Sequence, residues 1–454
     1  MKFTRLILIF VFIFLIQIKV NAVTLTYEEV QDSAFKNSFD LKIAALEINI
    51  SKSQLKAARA DRYPTLSLQF NTEYNRDLTD GRSTYAYAGN TMITPYTQFR
   101  DMLYMTLSYN LFDFGVTGKK IHIAKQEVEQ KKISYNIQLR DLKLKILDLY
   151  TKAQQFNNEI QTKSEILRLY ETMFNNKERM FKAGINDKLS VMDEAVKIAK
   201  TKSDVENSKI ELKNILKDLS YYTSQDYETS DLKIKNIDER NEKNIVPVSY
   251  DNVFLSNVEK QQYTYDFDPY AALEAEYYDI EIDKKQTELT ILKRQLYPSF
   301  RFYTGYSLYG QNPNQYYSAM QDIGQRSFLV GISSTYVFFD GFKNRANREK
   351  TAFEIEKLKL EKEKRLADLK KEYDKSFQTF EAYSEELNIK KDLLNTVKDK
   401  LSAVDRLTAN KLADNNELLA VKAELLTQEY ELEQNIINIS SKIEEMKIIT
   451  GMDI

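Results

Sequence analysis

The chain has 454 residues, 43% of them hydrophobic and 29% charged, with 65 Lys and Arg against 67 Asp and Glu. It has no cysteine, which excludes disulfides, thiolate metal sites and a lipid on an N-terminal cysteine. The balanced charge offers no basic surface for nucleic acid, and a single histidine, His122, with no glycine-rich phosphate loop, leaves little equipment for an enzyme or a cofactor.

Residues 1–22 read as a secretory signal peptide. Lys2 and Arg5 precede the unbroken apolar run Leu6 to Ile16, and Val20-Asn21-Ala22 is a small-residue cleavage site. Its removal leaves 62 positive and 67 negative residues. No later stretch is long and apolar enough for a transmembrane helix, so an exported chain of this kind is either soluble or a β-barrel.

Thr26 and Glu29 form a capping-box pattern that opens a helix over 27–61. Pro64 stops it, because the residue before a proline is disfavoured in helical geometry. The pattern then changes to period two. Leu66, Leu68, Phe70, Thr72 and Tyr74 alternate with Ser67, Gln69, Asn71, Glu73 and Asn75, and after a polar loop Leu103, Met105, Leu107, Tyr109 and Leu111 alternate with Tyr104, Thr106, Ser108 and Asn110. This predicts a hairpin over 65–113, with one apolar and one polar face. A long helix, 116–182, follows; Leu139, Leu142, Leu149, Ala153, Phe156 and Ile160 mark a heptad seam along it. The break Lys182-Ala183-Gly184-Ile185-Asn186-Asp187-Lys188 precedes a returning helix, 189–219. Residues 220–270, rich in tyrosine and without a clear period, form a connector.

The second half repeats the first. A shift of 227 carries the seam onto Leu366, Leu369, Ser376, Phe380, Tyr383 and Leu387, and even carries Lys163 onto Lys390. Residues 23–219 and 271–454 are therefore two internal repeats. The second repeat comprises helix 271–296, hairpin 299–339, long helix 343–409 and helix 415–449, and Tyr297-Pro298 repeats Tyr63-Pro64. Its hairpin loop is seven residues shorter. About 67 helical residues span roughly 100 Å, too long for the inside of a compact globule. Asp113 with Gly115, and Asp340 with Gly341, mark the strand-to-helix junctions, the aspartates as candidate helix N-caps. Pro64 and Pro298 mark the helix-to-strand junctions. The helices 27–61 and 189–219 together match the long helix in length, so two half-length helices stacked end to end would pair along it.

Four strands of nine to eleven residues are long enough to cross a hydrocarbon core when tilted. Four cannot close a barrel alone, and open sheet edges do not persist in lipid. The chains therefore pool strands in an oligomer, or the hairpins form a soluble β head on a coiled-coil stalk or adhesin.

The chain resembles the TolC family of outer-membrane efflux and export channels. The resemblance rests on Leu25-Thr26-Tyr27-Glu28-Glu29, on Leu55-Lys56-Ala57-Ala58-Arg59-Ala60 before Tyr63-Pro64, on Phe112-Asp113-Phe114-Gly115 and Phe339-Asp340-Gly341, and on Lys182-Ala183-Gly184-Ile185 before Leu189-Ser190-Val191-Met192-Asp193. It implies an α+β membrane protein: a homotrimer whose twelve-stranded β-barrel sits in outer-membrane lipid of a Gram-negative bacterium and is continued through the periplasm by an α-helical barrel. It implies a passive conduit with no enzymatic activity and no cofactor, the exit duct of a tripartite efflux or type I secretion system. A periplasmic adaptor and an inner-membrane transporter are the implied partners. The two helical tips, Gly184, Ile185, Asn186, Asp187 and Lys188, and Lys411, Leu412, Ala413, Asp414 and Asn415, become the adaptor contacts. Lys411 stands where the family usually has glycine, which puts the second tip's shape in question. Ser190, Asp193 and Glu417 become the periplasmic gate. Multidrug efflux and protein secretion both fit.

Overall fold

The computed structural model describes residues 24–75, 84–87, 90–93, 98–227, 233–234, 267–312 and 315–451. The expected signal peptide and most of the expected connector lie outside them. The chain divides into two compact units: one of residues 1–44, 135–273 and 365–454, the other of 45–134 and 274–364.

The second unit holds the sheet. Four strands, β2 (Thr65–Asn75), β5 (Gln98–Phe112), β7 (Ser299–Asn312) and β8 (Gln325–Thr335), run antiparallel in the order β2-β5-β7-β8. The two repeats meet at β5–β7. The register aligns the apolar alternation across all four strands: Leu68 lies opposite Met105, Met105 opposite Tyr306, and Tyr306 opposite Phe328. Ser67, Thr106 and Gly305 form the adjacent row on the other face, with a Ser67–Thr106 hydroxyl bond of 3.0 Å. Leu66, Leu68, Phe70, Phe328, Val330 and Ile332 are exposed, so within one chain the apolar face is uncovered.

Both hairpin loops carry structure that the polar-loop reading omits. The first contains a strand pair, β3 (Thr84–Tyr87) with β4 (Asn90–Ile93). The second contains a six-residue helix, α6 (Tyr316–Gln321), packed on β5 and β7. The second hairpin's returning strand also ends at Thr335, before the expected 339.

The other unit is helical. The helix expected over 27–61 is two: α1 (Tyr27–Asn37) and α2 (Phe39–Ala60). Ser38 makes the break. Its N–H still closes α1 on the Ala34 carbonyl, while its hydroxyl accepts the Leu41 N–H and starts α2. Thr26 caps α1, accepting the Glu29 N–H at 3.3 Å. The long helices are α3 (Val116–Lys182) and α7 (Lys343–Ala409), and both contribute to each unit. Their returning partners are α4 (Lys188–Thr223) and α8 (Asn415–Thr450); α5 (Leu273–Arg294), which like most of α2 belongs to the sheet unit, leads into β7. α1 packs beside the last turns of α4, and Asn37 at its end donates to the Thr223 carbonyl at 2.6 Å.

The core of this unit follows the heptad seam. Leu142, Ile146, Leu149, Tyr150 and Ala153 of α3 pack against Val30 and Ala34 of α1 and Leu212, Leu216 and Leu219 of α4. Tyr150 is fully buried and donates to the Leu25 carbonyl at 2.9 Å. That carbonyl belongs to β1 (Thr24–Leu25), which pairs in parallel with β6 (Lys233–Ile234). A second cluster joins Tyr373, Phe380 and Leu387 of α7 to Ile439, Ile443 and Met446 of α8.

Candidate functional site

The strand-to-helix junctions are built alike. In each, two consecutive residues take left-handed backbone angles: Phe114 and Gly115 in the first, Gly341 and Phe342 in the second. The glycine changes place between copies, so each turn keeps one phenylalanine at positive φ, a conformation that costs about 1–2 kcal/mol for a side-chain-bearing residue. The aspartate before the pair holds the turn. Asp113 accepts the Gly115 N–H at 3.0 Å and the Thr117 N–H at 2.8 Å, and Asp340 accepts the Asn344 N–H at 2.7 Å. Burial pushes the Asp113 carboxyl up, but the bonds from Thr117, Asn110 and Gly115 outweigh it and hold the group below its ordinary range. Arg294, arriving from α5, donates to the Phe114 carbonyl at 3.0 Å.

Pro64 and Pro298 stand immediately before β2 and β7. In both copies the preceding tyrosine, Tyr63 or Tyr297, closes the last helical turn, donating its N–H to Ala60 or Arg294. Tyr297 also stacks on Phe114 with ring centres 4.8 Å apart.

The tips share one turn despite the Lys411 departure. Gly184 has φ +74° and Lys411 φ +59°. In the first tip Ile185 N–H returns to the Met180 carbonyl at 2.9 Å and Gly184 N–H to Phe181 at 2.9 Å; in the second, Leu412 N–H returns to Leu407 at 2.8 Å and Lys411 N–H to Thr408 at 3.0 Å. These paired returns are the Schellman closure, which satisfies the free carbonyls of a helix end. The bonds hold Lys411 in the conformation glycine would take. Ile185 and Leu412, equivalent in the repeat, are each 75% exposed.

The caps that restart the helices differ. Asp187 accepts the Ser190 N–H at 2.8 Å, and Asn186 lies 3.4 Å from the Ser190 hydroxyl. Asp414 makes no such side-chain bond to α8 and instead accepts Asn416 Nδ2 at 3.1 Å. Asn415 and Lys188 are exposed and Ala413 is half-buried. Of the gate candidates, Ser190 is half-buried with its N–H used by the cap, while Asp193 and Glu417 lie exposed on their helices. The residue before Glu417 links the two hairpins: Asn416 is buried, accepts from Asn176 of α3 at 3.1 Å, and approaches the Met180 sulfur at 3.9 Å.

Motif reading missed Glu194, one residue past Asp193. It is 1% exposed, and its Oε1 accepts Lys177 Nζ at 2.8 Å and Lys197 Nζ at 3.1 Å. Burial pushes this carboxyl up, but the two lysines hold it below its ordinary value. The repeat shift carries Lys177 onto Val404 and Glu194 onto Val421, which with Leu418 form the small apolar core of the second hairpin. The available signal was a Lys and a Glu in one copy where the other has two valines.

Residues 30–223, the first repeat, match the family model described as outer membrane efflux protein. The fold is that of the TolC-type outer-membrane channels. The agreement extends over nearly all the chain's length. The chain is similar to VceC from Vibrio cholerae (12% identity, 94% of this chain and 96% of that one, TM-score 0.71) and to the Campylobacter jejuni channel CmeC (11%, 94% and 85%, 0.72). It is also similar to the open state of the Neisseria gonorrhoeae channel MtrE (13%, 94% and 88%, 0.66). No curated protein sequence matches it. VceC is described as an outer membrane protein, and CmeC and MtrE as outer membrane channels.

Proposed function

We propose that three copies of this TolC-type chain form the exit duct of a tripartite efflux or type I secretion system. The observation that carries this reading is the open sheet. Among the described residues β2 and β8 each pair on one side only, and the apolar face is exposed on both. In lipid such edges must pair, since each unpaired backbone group there costs several kcal/mol. Pairing β2 of one copy with β8 of the next closes the sheet by rotational symmetry. The family resemblance sets the number at three, making twelve strands. The polar rows, with Ser67, Gln69 and Asn71, then face a wet lumen.

The helices carry matching surfaces. Phe39, Ile43, Leu46 and Ile50 on α2, and Phe353 and Leu360 on α7, are exposed at heptad spacing, as expected of helices that pack against neighbouring copies. The tips, with Ile185 and Leu412 outermost, are the contact for a periplasmic adaptor attached to an inner-membrane transporter. Glu417, with Asp193 and Ser190, rings the closed mouth and opens with it. The duct does no chemistry of its own.

The test is fractionation and conductance. The full-length protein should partition with the outer membrane, migrate as a heat-labile oligomer three times the chain mass in mild detergent, and conduct ions in a planar bilayer. A salt-extractable monomer without ion current would refute the channel and favour the stalk. Co-purification with an adaptor, lost on Ile185→Asp with Leu412→Asp while the oligomer persists, tests the docking role separately.

A further inference from the structure

Among the described residues two buried carboxylates lie outside the tips and junctions, Glu274 on α5 and Asp101. Asp101 on β5 is 0% exposed, and neither of its carboxylate oxygens has a hydrogen-bond partner. A lone ionised carboxylate out of water is so costly that buried ones are found paired, protonated or bound to metal. Asp101 shares its parity with Phe99 and Leu103, so it sits on the apolar face of the sheet. The register sets it between Thr72 on β2 and Gly310 on β7.

At this point α6 meets the sheet. A β-carbon on Gly310 would collide with the Ala319 carbonyl oxygen and lie 3.0 Å from that of Asp322. Two main-chain carbonyl oxygens, of Ala319 within α6 and of Asp322 just past its end, therefore lie over Gly310, the register partner of Asp101, and that of Asp322 also accepts the Gly324 N–H at 2.6 Å. Aromatic rings wall the place: Phe99 lies 4.8 Å from Tyr74 and 6.3 Å from Tyr316, the first residue of α6. The neighbouring cation, Arg100, is of opposite parity and engages Glu73 and the Tyr309 ring. Arg326, on the same face as Asp101, lies across from Leu308 and is exposed. The place thus gathers a carboxylate, two carbonyl oxygens and the nearby Thr72 hydroxyl, a set rich in acceptors.

We propose that Asp101 and the terminal carbonyls of α6 bind a divalent metal ion of the hard, oxygen-preferring class, calcium foremost. Calcium accepts mixed carboxylate, carbonyl and water ligands in flexible geometry, whereas magnesium demands a near-ideal octahedron. The ion neutralises Asp101 and fastens α6 over the end of the sheet far from the helix junctions. With one carboxylate the site belongs at the weak end of the calcium range, with Kd on the order of 0.1–1 mM.

The test uses full-length protein in detergent, stripped with a chelator and titrated with calcium chloride. Calorimetry should show one site per chain, and added calcium should slow hydrogen exchange across residues 315–324. Asp101→Asn should weaken binding at least tenfold. Gly310→Ala, which keeps the carboxylate but displaces the carbonyls, should weaken it as well. The wild-type titration needs no variant to fold: absence of binding up to about 10 mM calcium overturns the proposal. So does unchanged affinity in Asp101→Asn. An infrared band of a protonated buried carboxyl, present in wild type at saturating calcium and lost in Asp101→Asn, would show that a proton fills the place instead.

Discussion

The clearest quantitative test lies at the first tip, where a buried ion pair occupies the place of two valines. Lys177→Val leaves Glu194, 1% exposed, with only Lys197 as a partner. Breaking a buried pair typically costs about 3–5 kcal/mol, and the surviving Lys197 bond puts this variant near the lower end, about 3 kcal/mol. Glu194→Val costs less, about 1 kcal/mol, because the Lys177 ammonium can reach water along its flexible stem. Lys177→Val with Glu194→Val copies the Val404–Val421 arrangement of the second hairpin. Replacing both charges by packed apolar groups is often neutral or stabilising, so the double variant should lie within about 1 kcal/mol of wild type or above it. The two changes should then be strongly non-additive, by about 3 kcal/mol or more. Hydrogen exchange of amides in 170–200 reads this local free energy in the intact protein. Acid adds a second reading. A carboxyl held below its usual 4.5 contributes stability that is present above that value and lost as pH falls through the lowered one. Wild-type tip protection should therefore fall at low pH, and the double variant's should fall less. A double variant as unstable as the two singles summed would refute the reasoning.

Lys411→Gly should stabilise the second tip by up to about 1 kcal/mol by relieving positive φ, and Gly184→Val should destabilise the first by at least as much; tip exchange rates check both. Glu417→Lys should lower cation preference in planar-bilayer reversal potentials, since like charges repeated around an axis attract cations; unchanged selectivity removes Glu417 from the gate. Glu433 on α8 is pushed up by burial and then by the neighbouring Glu429. Its contribution is full below the ordinary carboxylate range and fades as pH rises through the raised value, so Glu433→Gln should gain stability over wild type towards neutral pH in thermal melts and lose that advantage in acid.

Much of the fold was legible because it is written at short range. Strand alternation follows from side chains pointing to opposite faces, and the heptad seam from the pitch of the helix, so the strands and long helices could be placed from spacing. The junction aspartates were legible because a cap and its turn lie within four residues. The αL turn at Lys411 was not, because six-residue bonds in the folded tip overrule the preference for glycine. The break at Ser38 was also hidden: a serine in a helical pattern is ordinary until its hydroxyl takes the Leu41 N–H.

From the amino-acid order alone come the two-copy plan, the four amphipathic strands and the position of both tips. Tertiary structure decided that β5 pairs with β7, that α6 packs on both and Asp101 is buried, and that Lys177 and Glu194 replace a valine contact. Those outcomes depend on partners from tens to hundreds of residues away. Periodicity reports which face of an element is apolar, but the burial of a charge is set by what packs against that face.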